Sequence, residues 1–206
     1  MAGLDGVVKP FQLITSICSA LANFWALGES MTIVAAAIDS ATSAVTPSIN
    51  RIASEDLTTL KRLRLRALKD SPDCFLSAHA IERNYLNKRW AAEFKRGDWY
   101  AGVSNGAEVA LIGVTREPEM PESECFIEYM WVARSFRRQG VGQYMLEEVL
   151  GILRASGVKA VYLWVLDGNK PAAELYQKVG FAFTHVVQPL ATRPGRSEHQ
   201  MMLALA

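Results

Sequence analysis

Apolar and polar residues follow two different periods along the chain, and these periods predict a mixed α/β fold. Short apolar runs with period two indicate strands, and apolar positions three to four apart indicate amphipathic helices. The predicted strands cover 48–53, 99–103, 107–115, 125–132, 161–166, 181–187 and 200–205. The predicted helices run from Leu57 to just before Ser71-Pro72, from Ser77 to Arg96, from Val141 to Ser156, and from about Pro171 to Val179. This order predicts a mixed sheet flanked by helices.

Glycine, asparagine and proline mark where these elements end. Asn105-Gly106 lies between two strand-like runs and predicts a tight hairpin. Pro171 suits the first turn of a helix, because its missing N–H would have no partner there. Gly157 and Gly180 follow apolar helical stretches and predict their C-terminal ends.

Residues 1–45 differ from the rest of the chain. Their only charged residues are Asp5, Lys9, Glu29 and Asp39, and apolar residues at 11–27 recur at helical spacing. The stretch is a poor secretory signal, and its polar residues argue against a membrane span. Three interpretations stay open: a packing helix, a helix that binds a partner or membrane surface, or translated upstream sequence with Met31 as the true start. We predict a non-catalytic extension followed by one domain at 46–206.

The turn from Val132 to Gln143 carries the clearest chemistry. A strand-like run leads through small residues into a helix, whose first N–H groups lack partners and attract anions. Gly140 and Gly142 leave room for a phosphate, and Arg137 and Arg138 add positive charge. Gln143-Tyr144 excludes a P-loop, and Met145 stands where a dinucleotide fingerprint needs glycine. The turn predicts a pyrophosphate site of another kind.

A second segment, residues 161–181, joins a buried strand, an Asp167-Gly168-Asn169 turn and a helix with the pattern Asn-x-x-Ala-x-x-Leu-Tyr that ends at Gly-Phe. Together with Arg137-x-x-Gly140-x-Gly142, in this order and at this spacing, it resembles the GNAT superfamily of N-acetyltransferases. The resemblance covers about 46–206. It implies a central mixed, mostly antiparallel sheet of six to seven strands with about four helices, and direct transfer of acetyl from acetyl-CoA to an amine.

The resemblance also assigns roles to residues by their position in the two segments. Tyr176 would donate a proton to the leaving sulfur, although a core tyrosine is the alternative. The Val132 N–H would face the acetyl carbonyl, and Met130 and Val132 would pair with the pantetheine arm. Asn169 would hold the other side of the cofactor. The phosphates would contact Arg137, Arg138, Gln139, Gly140, Val141, Gly142 and Gln143.

The general base is less defined by the sequence. Glu124, Phe126, Glu128, Met130 and Val132 share one face if the strand keeps its period of two. The position where relatives often carry a carboxylate holds Phe126, so Glu128 or Glu124 becomes the candidate base, with ordinary solvent-exposed carboxylates as the alternative. Arg134 replaces a proline common in the family, which leaves the conformation of the turn less fixed.

Composition narrows the remaining choices. The net charge of +1 gives no electrostatic case for nucleic acid or anionic membranes. Cys18, Cys74 and Cys125 lack metal or redox spacing and suggest free thiols in a cytoplasmic protein, and the three histidines predict no metal site.

A small-molecule amine is the favoured acceptor. A protein N-terminal acetyltransferase, a CoA-binding sensor that has lost turnover, and a homodimer stay open.

Overall fold

The computed structural model describes residues 47–190 and 193–206. The predicted extension at 1–45, its helix at 11–27 and Met31 lie outside the described residues. Within these residues the strands are β1 (Ser48–Arg51), β2 (Gly97–Ser104), β3 (Ala107–Thr115), β4 (Glu124–Val132), β5 (Ala160–Leu166), β6 (Ala182–Pro189) and β7 (Ser197–Ala204). The helices are α1 (Leu57–Asp70), α2 (His79–Glu82), α3 (Asn87–Phe94), α4 (Val141–Ala155) and α5 (Lys170–Val179), with 3₁₀ turns at Pro72–Cys74 and Arg134–Phe136.

The seven described strands form one sheet in the order β1-β2-β3-β4-β5-β7-β6. Only β4 and β5 are parallel neighbours; every other pair is antiparallel. The predicted fold class, a mostly antiparallel mixed sheet of six to seven strands, is therefore confirmed. The helix count is five among the described residues rather than about four, because one predicted helix is divided.

Helices cover both faces of the sheet. On the front face, defined by Trp99 of β2, the Phe94 ring of α3 lies 6.5 Å from the Trp99 ring. On the back face, α4 packs so closely that a Cβ on Gly102 would come within 2.7 Å of the Met145 sulfur. Helix α5 lies beside α4, with Leu175 against Gly142. The buried apolar side chains of both faces form one core.

The predicted helix at 77–96 is wrong as a single element, because the chain ends α2 at Glu82 and starts α3 at Asn87. Arg64 of α1 donates to Glu82 at 2.8 and 3.0 Å, and both side chains are buried. The intervening Leu86 is extended, with φ −66° and ψ 154°. The extended backbone at Leu86 ends the first helix and lets the second begin in a new direction. Glu82 of α2 and Trp90 of α3 are both buried.

The turn residues fulfil their predicted roles. Asn105 and Gly106 both have positive φ, 51° and 72°, as a two-residue hairpin of type I′ requires. Gly180 ends α5 with φ 110°, a conformation that glycine adopts without steric cost. Both predictions are confirmed.

A β-bulge interrupts β4 at Tyr129, which has φ 58°. Gly113 of β3 faces Glu128, but Leu111, two residues away, faces Trp131, three residues further along β4. One extra residue therefore lies on β4, and the alternation of its side chains changes phase at this point.

The predicted common face of β4 is consequently wrong past Glu128. Glu124 and Glu128 stay on the front face, whereas Met130 and Val132 turn to the back face. Their terminal carbons lie 3.5 and 3.6 Å from the position of a Cβ on Gly142 in α4. The bulge thus places the Glu128 side chain and the side chains of Met130 and Val132 on opposite faces of one strand.

Candidate cofactor and acceptor site

Strands β4 and β5 part after their first three residues. They pair only from Glu124 to Phe126 on β4 and from Ala160 to Tyr162 on β5. Beyond this point β4 stays with β3 as far as Val132, and β5 stays with β7 as far as Leu166. The result is a wedge-shaped gap that opens toward the C-terminal ends of both strands. Ligands of open α/β sheets commonly bind at such ends.

Backbone polar groups of β4 face this gap. The Ala133 N–H donates to the Val109 carbonyl of β3 at 2.8 Å. Because successive residues of a strand point their backbone groups to alternate sides, the Val132 N–H points away from β3 and toward the gap. The Val132 carbonyl accepts a hydrogen bond from Arg137 Nε at 2.8 Å. The Val132 N–H therefore pairs with no neighbouring strand. It is the donor that the family resemblance assigns to the acetyl carbonyl.

Helix α4 begins at the mouth of the gap with an uncapped N-terminus. Its N-cap is Gly140, with φ 82° and no side-chain cap. The first helical hydrogen bond joins the Tyr144 N–H to the Gly140 carbonyl at 3.0 Å, so the N–H groups before it have no partner in the helix. A Cβ on Gly140 would meet no atom within 4 Å. Free N–H groups, open space and the helix dipole suit a phosphate group.

Gly142 serves a different purpose from Gly140. A Cβ there would lie 3.1 Å from Leu175 Cδ2 and 3.5 Å from Met130 Cε. The glycine lets α4 approach α5 and β4 closely. Open space for a phosphate, which the sequence predicts at both glycines, is found at Gly140 but not at Gly142. Gly142 can offer a ligand only its backbone N–H.

The polar side chains of the turn are mostly engaged within the protein. Arg137 donates to Ser71 Oγ at 2.6 Å and pairs with Asp70. Gln139 donates to the Ser135 carbonyl, and Gln143 donates to Glu147, both at 2.7 Å. Arg138 is exposed, with φ 61°. Arg138 is thus a side-chain cation that this turn can offer to a phosphate, whereas Arg137 also joins the turn to the end of α1.

Asp70, at the end of α1, organises the turn and was missed by the sequence analysis. It accepts from Trp131 Nε1 at 3.0 Å and pairs with Arg137. Arg134 donates to the Asp70 carbonyl at 2.8 and 3.1 Å. At position 134, where the family commonly has proline, this bidentate contact fixes the turn. No local signal marks Asp70, because its partners lie more than 60 residues away in the sequence.

Tyr176 of α5 is a buried phenol. Burial raises the pKa of its hydroxyl well above the usual range, and the nearby Cys74 raises it further. The hydroxyl therefore keeps its proton at neutral pH and remains a donor. The proximity of Cys74 also places the loop after α1 close to Tyr176. Its ring packs edge-on against Phe181, with centroids 6.0 Å apart.

Glu128 flanks the gap on the front face. Its Oε2 is buried without a hydrogen bond and lies 3.6 Å from Arg96. Burial raises the pKa of this carboxyl above its usual 4.5, although Arg96 and the Thr115 hydroxyl oppose the shift. Glu124 lies in the paired part of β4, below the gap. Burial raises the pKa of the neighbouring Tyr162, and the Glu124 charge raises it further. Of the two candidate bases, Glu128 is the one at the opening.

Asn169 lies across the mouth of the gap, after the end of β5. It is the N-cap of α5, and its carbonyl accepts from the Ala173 N–H at 3.1 Å. Its side chain makes no capping hydrogen bond. The amide is thus positioned by the backbone of the α5 terminus and is not used to cap that helix.

Two cysteines of the described residues differ sharply in accessibility. Cys74 is exposed, whereas Cys125 is buried in β4 and burial raises the pKa of its thiol to about 11. Only the thiolate is alkylated, so we expect iodoacetamide at pH 7.5 to modify Cys74 at least about tenfold faster than Cys125. Peptide mass spectrometry over time measures both rates. Equal rates in the folded protein would contradict the burial of Cys125.

No helix among residues 47–190 and 193–206 is long and apolar enough to cross a membrane. Over the same ranges, no group of three or more His, Cys, Asp or Glu side chains is arranged to hold a metal ion.

A parted pair of parallel strands with a helix N-terminus at its mouth defines an α/β protein with a cofactor cleft in its sheet. The sequence model of the acetyltransferase (GNAT) family matches residues 65–181. The match covers more than half of the chain, which therefore belongs to this family of acetyl-CoA-dependent N-acetyltransferases. The family predicted from the sequence is confirmed, and the enzyme class and cosubstrate predicted with it are those of this family.

Individual relatives match over shorter stretches. The chain is 46% identical over 56 residues to GCN5-related N-acetyltransferase 6, chloroplastic, of Arabidopsis thaliana. This matched stretch covers 27% of this chain and 19% of that protein. For the first three curated relatives, the match spans between 19% and 56% of the relative's own length.

Solved structures show the same fold. A GNAT-family acetyltransferase from Streptococcus pneumoniae superposes with a TM-score of 0.64 at 17% identity, covering 78% of this chain and 100% of that chain. An acetyltransferase from Salmonella typhimurium, solved with acetyl-CoA, gives a TM-score of 0.63 at 13% identity over 78% of this chain and 95% of that chain. At these identities the likeness concerns the fold alone.

Proposed function

We propose that this protein transfers an acetyl group from acetyl-CoA directly to the primary amine of a small molecule. The observation that carries the proposal is the gap between β4 and β5, with the uncapped N-terminus of α4 at its mouth. Acetyl-CoA and the amine would then enter one cleft from the two faces of the sheet.

The residues around the gap suit acetyl-CoA. The N–H groups of Val141, Gly142 and Gln143, with Arg138, would hold the phosphates, and Asn169 would hold the opposite side. When bound, acetyl-CoA supplies an activated thioester carbonyl and a thiolate leaving group. The Val132 N–H would donate to the carbonyl oxygen, where negative charge builds during attack.

Proton transfers fall to two side chains on opposite sides of the gap. An alkyl ammonium has a pKa of about 10.4, so only roughly one molecule in a thousand is neutral at pH 7. A carboxylate at Glu128 can take that proton, directly or through a water molecule, with Glu124 as the second candidate. The Tyr176 hydroxyl can give its proton to the leaving sulfur.

A small acceptor is favoured over an extended polypeptide by a contact between two loops. Arg193, between β6 and β7, donates to the carbonyls of Phe75 at 2.8 Å and Pro72 at 3.2 Å. It also donates to the Asp73 carbonyl at 3.4 Å. These bonds join the loop after α1 to the loop before β7. We infer that the joined loops would narrow the approach of an acceptor.

Thiol release from acetyl-CoA in the presence of amines tests the proposal. The full chain should release CoA with at least one small primary amine, and mass spectrometry should find that amine acetylated. Acetyl-CoA binding without release across small amines and peptides with a free N-terminus would favour the CoA-binding sensor. Release with the peptides alone would favour an N-terminal acetyltransferase.

Replacing Tyr176 with phenylalanine should lower kcat by about 10- to 50-fold, while the Kd for acetyl-CoA changes little. The effect is moderate because a thiol with a pKa of about 8.5 leaves as a tolerable anion without a proton. Tyr100→Phe is the matched control, since Tyr100 is also buried but lies on β2, away from the gap. Equal kcat values for the two variants would remove Tyr176 from the mechanism.

A further inference from the structure

Aromatic side chains line the front face of the sheet at the base of the gap. Phe126 pairs with Tyr162 across β4 and β5, and their ring centroids are 5.7 Å apart. Trp164, two residues further along β5, points to the same face. All three side chains are partly exposed. We call these residues, Phe126, Tyr162 and Trp164, the aromatic platform.

The front-face helices of the described residues pack elsewhere. Helix α1 lies against β3 and β4, and α3 lies against β2. The Arg66 guanidinium of α1, for example, stacks over the Trp131 ring at 5.2 Å. The platform lies beyond these contacts, toward β5 and β7, and stays open to a ligand within the described part of the chain.

The platform lies where an acceptor would have to approach. Phe126 and Tyr162 form the last pair before the strands part. Glu128 and Trp164, each two residues further on, stand on either side of the opening. The α4 N-terminus lies against the back face. A molecule bound to the platform would therefore reach the gap from the front face, whereas the proposed phosphate site at the N-terminus of α4 lies on the back face.

The charge around the platform favours a cation. The Arg96 guanidinium lies 2.9 Å from Glu93, 3.2 Å from Glu117 and 3.6 Å from Glu128. One positive charge thus faces three carboxylates, and Glu124 adds another carboxylate beside Tyr162. Aromatic ring faces also attract cations, so the two features act in the same direction.

We propose that the acceptor is an amine with a flat apolar or aromatic body, whose ring lies on the platform and whose ammonium faces Glu128. The proposal rests on the transfer reaction proposed above and specifies its substrate class. Linear polyamines lack the body that the rings would contact. Amino acids with a free α-carboxylate would be repelled by the surrounding negative charge.

Calorimetric binding to the full chain, with and without saturating CoA, tests the two parts of the proposal. The probes are 2-phenylethylamine, 2-phenylethanol without the charge, and 1,4-diaminobutane without the ring. We expect the first to bind about tenfold tighter than either of the others. Equal affinity for the alcohol would overturn the role of charge. Equal or tighter binding of the diamine would overturn the role of the rings.

Two variants locate the binding site. Tyr162→Leu and Trp164→Leu keep an apolar side chain but remove the ring, and each should weaken 2-phenylethylamine by about three- to tenfold. Phe183→Leu is the control, because Phe183 is an exposed ring on the opposite face of the sheet. An unchanged CoA affinity shows that each variant is folded. Equal effects of all three variants would overturn the platform.

The two proposals fail in different ways. Binding of 2-phenylethylamine to the platform without acetylation under acetyl-CoA would contradict the transfer reaction and support the platform. Acetylation of 1,4-diaminobutane in preference to 2-phenylethylamine would support the transfer reaction and overturn the platform as the acceptor site.

Discussion

Replacing Gly140 with aspartate should weaken acetyl-CoA binding by about 100-fold or more, a change of roughly 2.7 kcal/mol. The substitution places a carboxylate at the N-terminus of α4, where the free N–H groups and the helix dipole would otherwise meet the phosphates. A Cβ at this position meets no atom within 4 Å, so the new side chain has room. Calorimetric titration with acetyl-CoA measures the effect.

Gly140→Asn separates the charge from the backbone strain. The φ of 82° at Gly140 disfavours most residues, but asparagine and aspartate share nearly the same shape, and both tolerate this region. The asparagine variant should lose less than about tenfold in affinity. Gly151→Asp adds the same charge to the exposed middle of α4 and should leave binding unchanged. If Gly140→Asp binds as tightly as Gly140→Asn, the phosphates do not bind at this helix terminus.

The turn that these variants test could be located from the sequence, because its signals are local. Asn105-Gly106 and Gly180 require backbone conformations that few residues adopt, and the structure contains those conformations. The strand–turn–helix pattern around Gly140 depends in the same way on neighbouring residues. Such features follow from steric limits on a few consecutive residues.

Other features depend on contacts between distant segments and carry no local signal. The break between α2 and α3 accompanies the burial of Glu82 against Arg64, 18 residues away. The bulge at Tyr129 places a bulky residue at positive φ, where its hydroxyl bonds Glu93 at 2.5 Å. Arg137, which the family resemblance assigns to phosphate, pairs with Asp70, a contact that the sequence does not signal.

The bulge matters most for the site, because it decides which side chains of β4 face the acceptor. A regular strand would place Glu128, Met130 and Val132 on one face. The extra residue leaves Glu128 on the front face with the aromatic platform and turns Met130 and Val132 toward α4. The front face beside Glu128 is therefore left to the aromatic platform, because the side chains of Met130 and Val132 pack against α4.

Replacing Glu128 with glutamine should lower kcat/KM for the amine by about 100-fold at pH 7. Burial raises the pKa of the Glu128 carboxyl, so its basic form is lost at a higher pH than for an exposed glutamate. The activity of the unmodified protein should therefore fall as the pH drops through that raised pKa. The variant should lack this step and keep only the gradual change that follows deprotonation of the amine.

Glu124→Gln decides between the two candidate bases. Glu124 lies on the same face of β4 but in its paired part, so this variant should keep the pH step and lose less than about threefold in kcat/KM. Acetyl-CoA affinity should be unchanged in both variants, because neither carboxylate is among the proposed cofactor contacts. If Glu124→Gln removes the step and Glu128→Gln retains it, the base lies below the gap, and the proton must reach it through water along the aromatic platform.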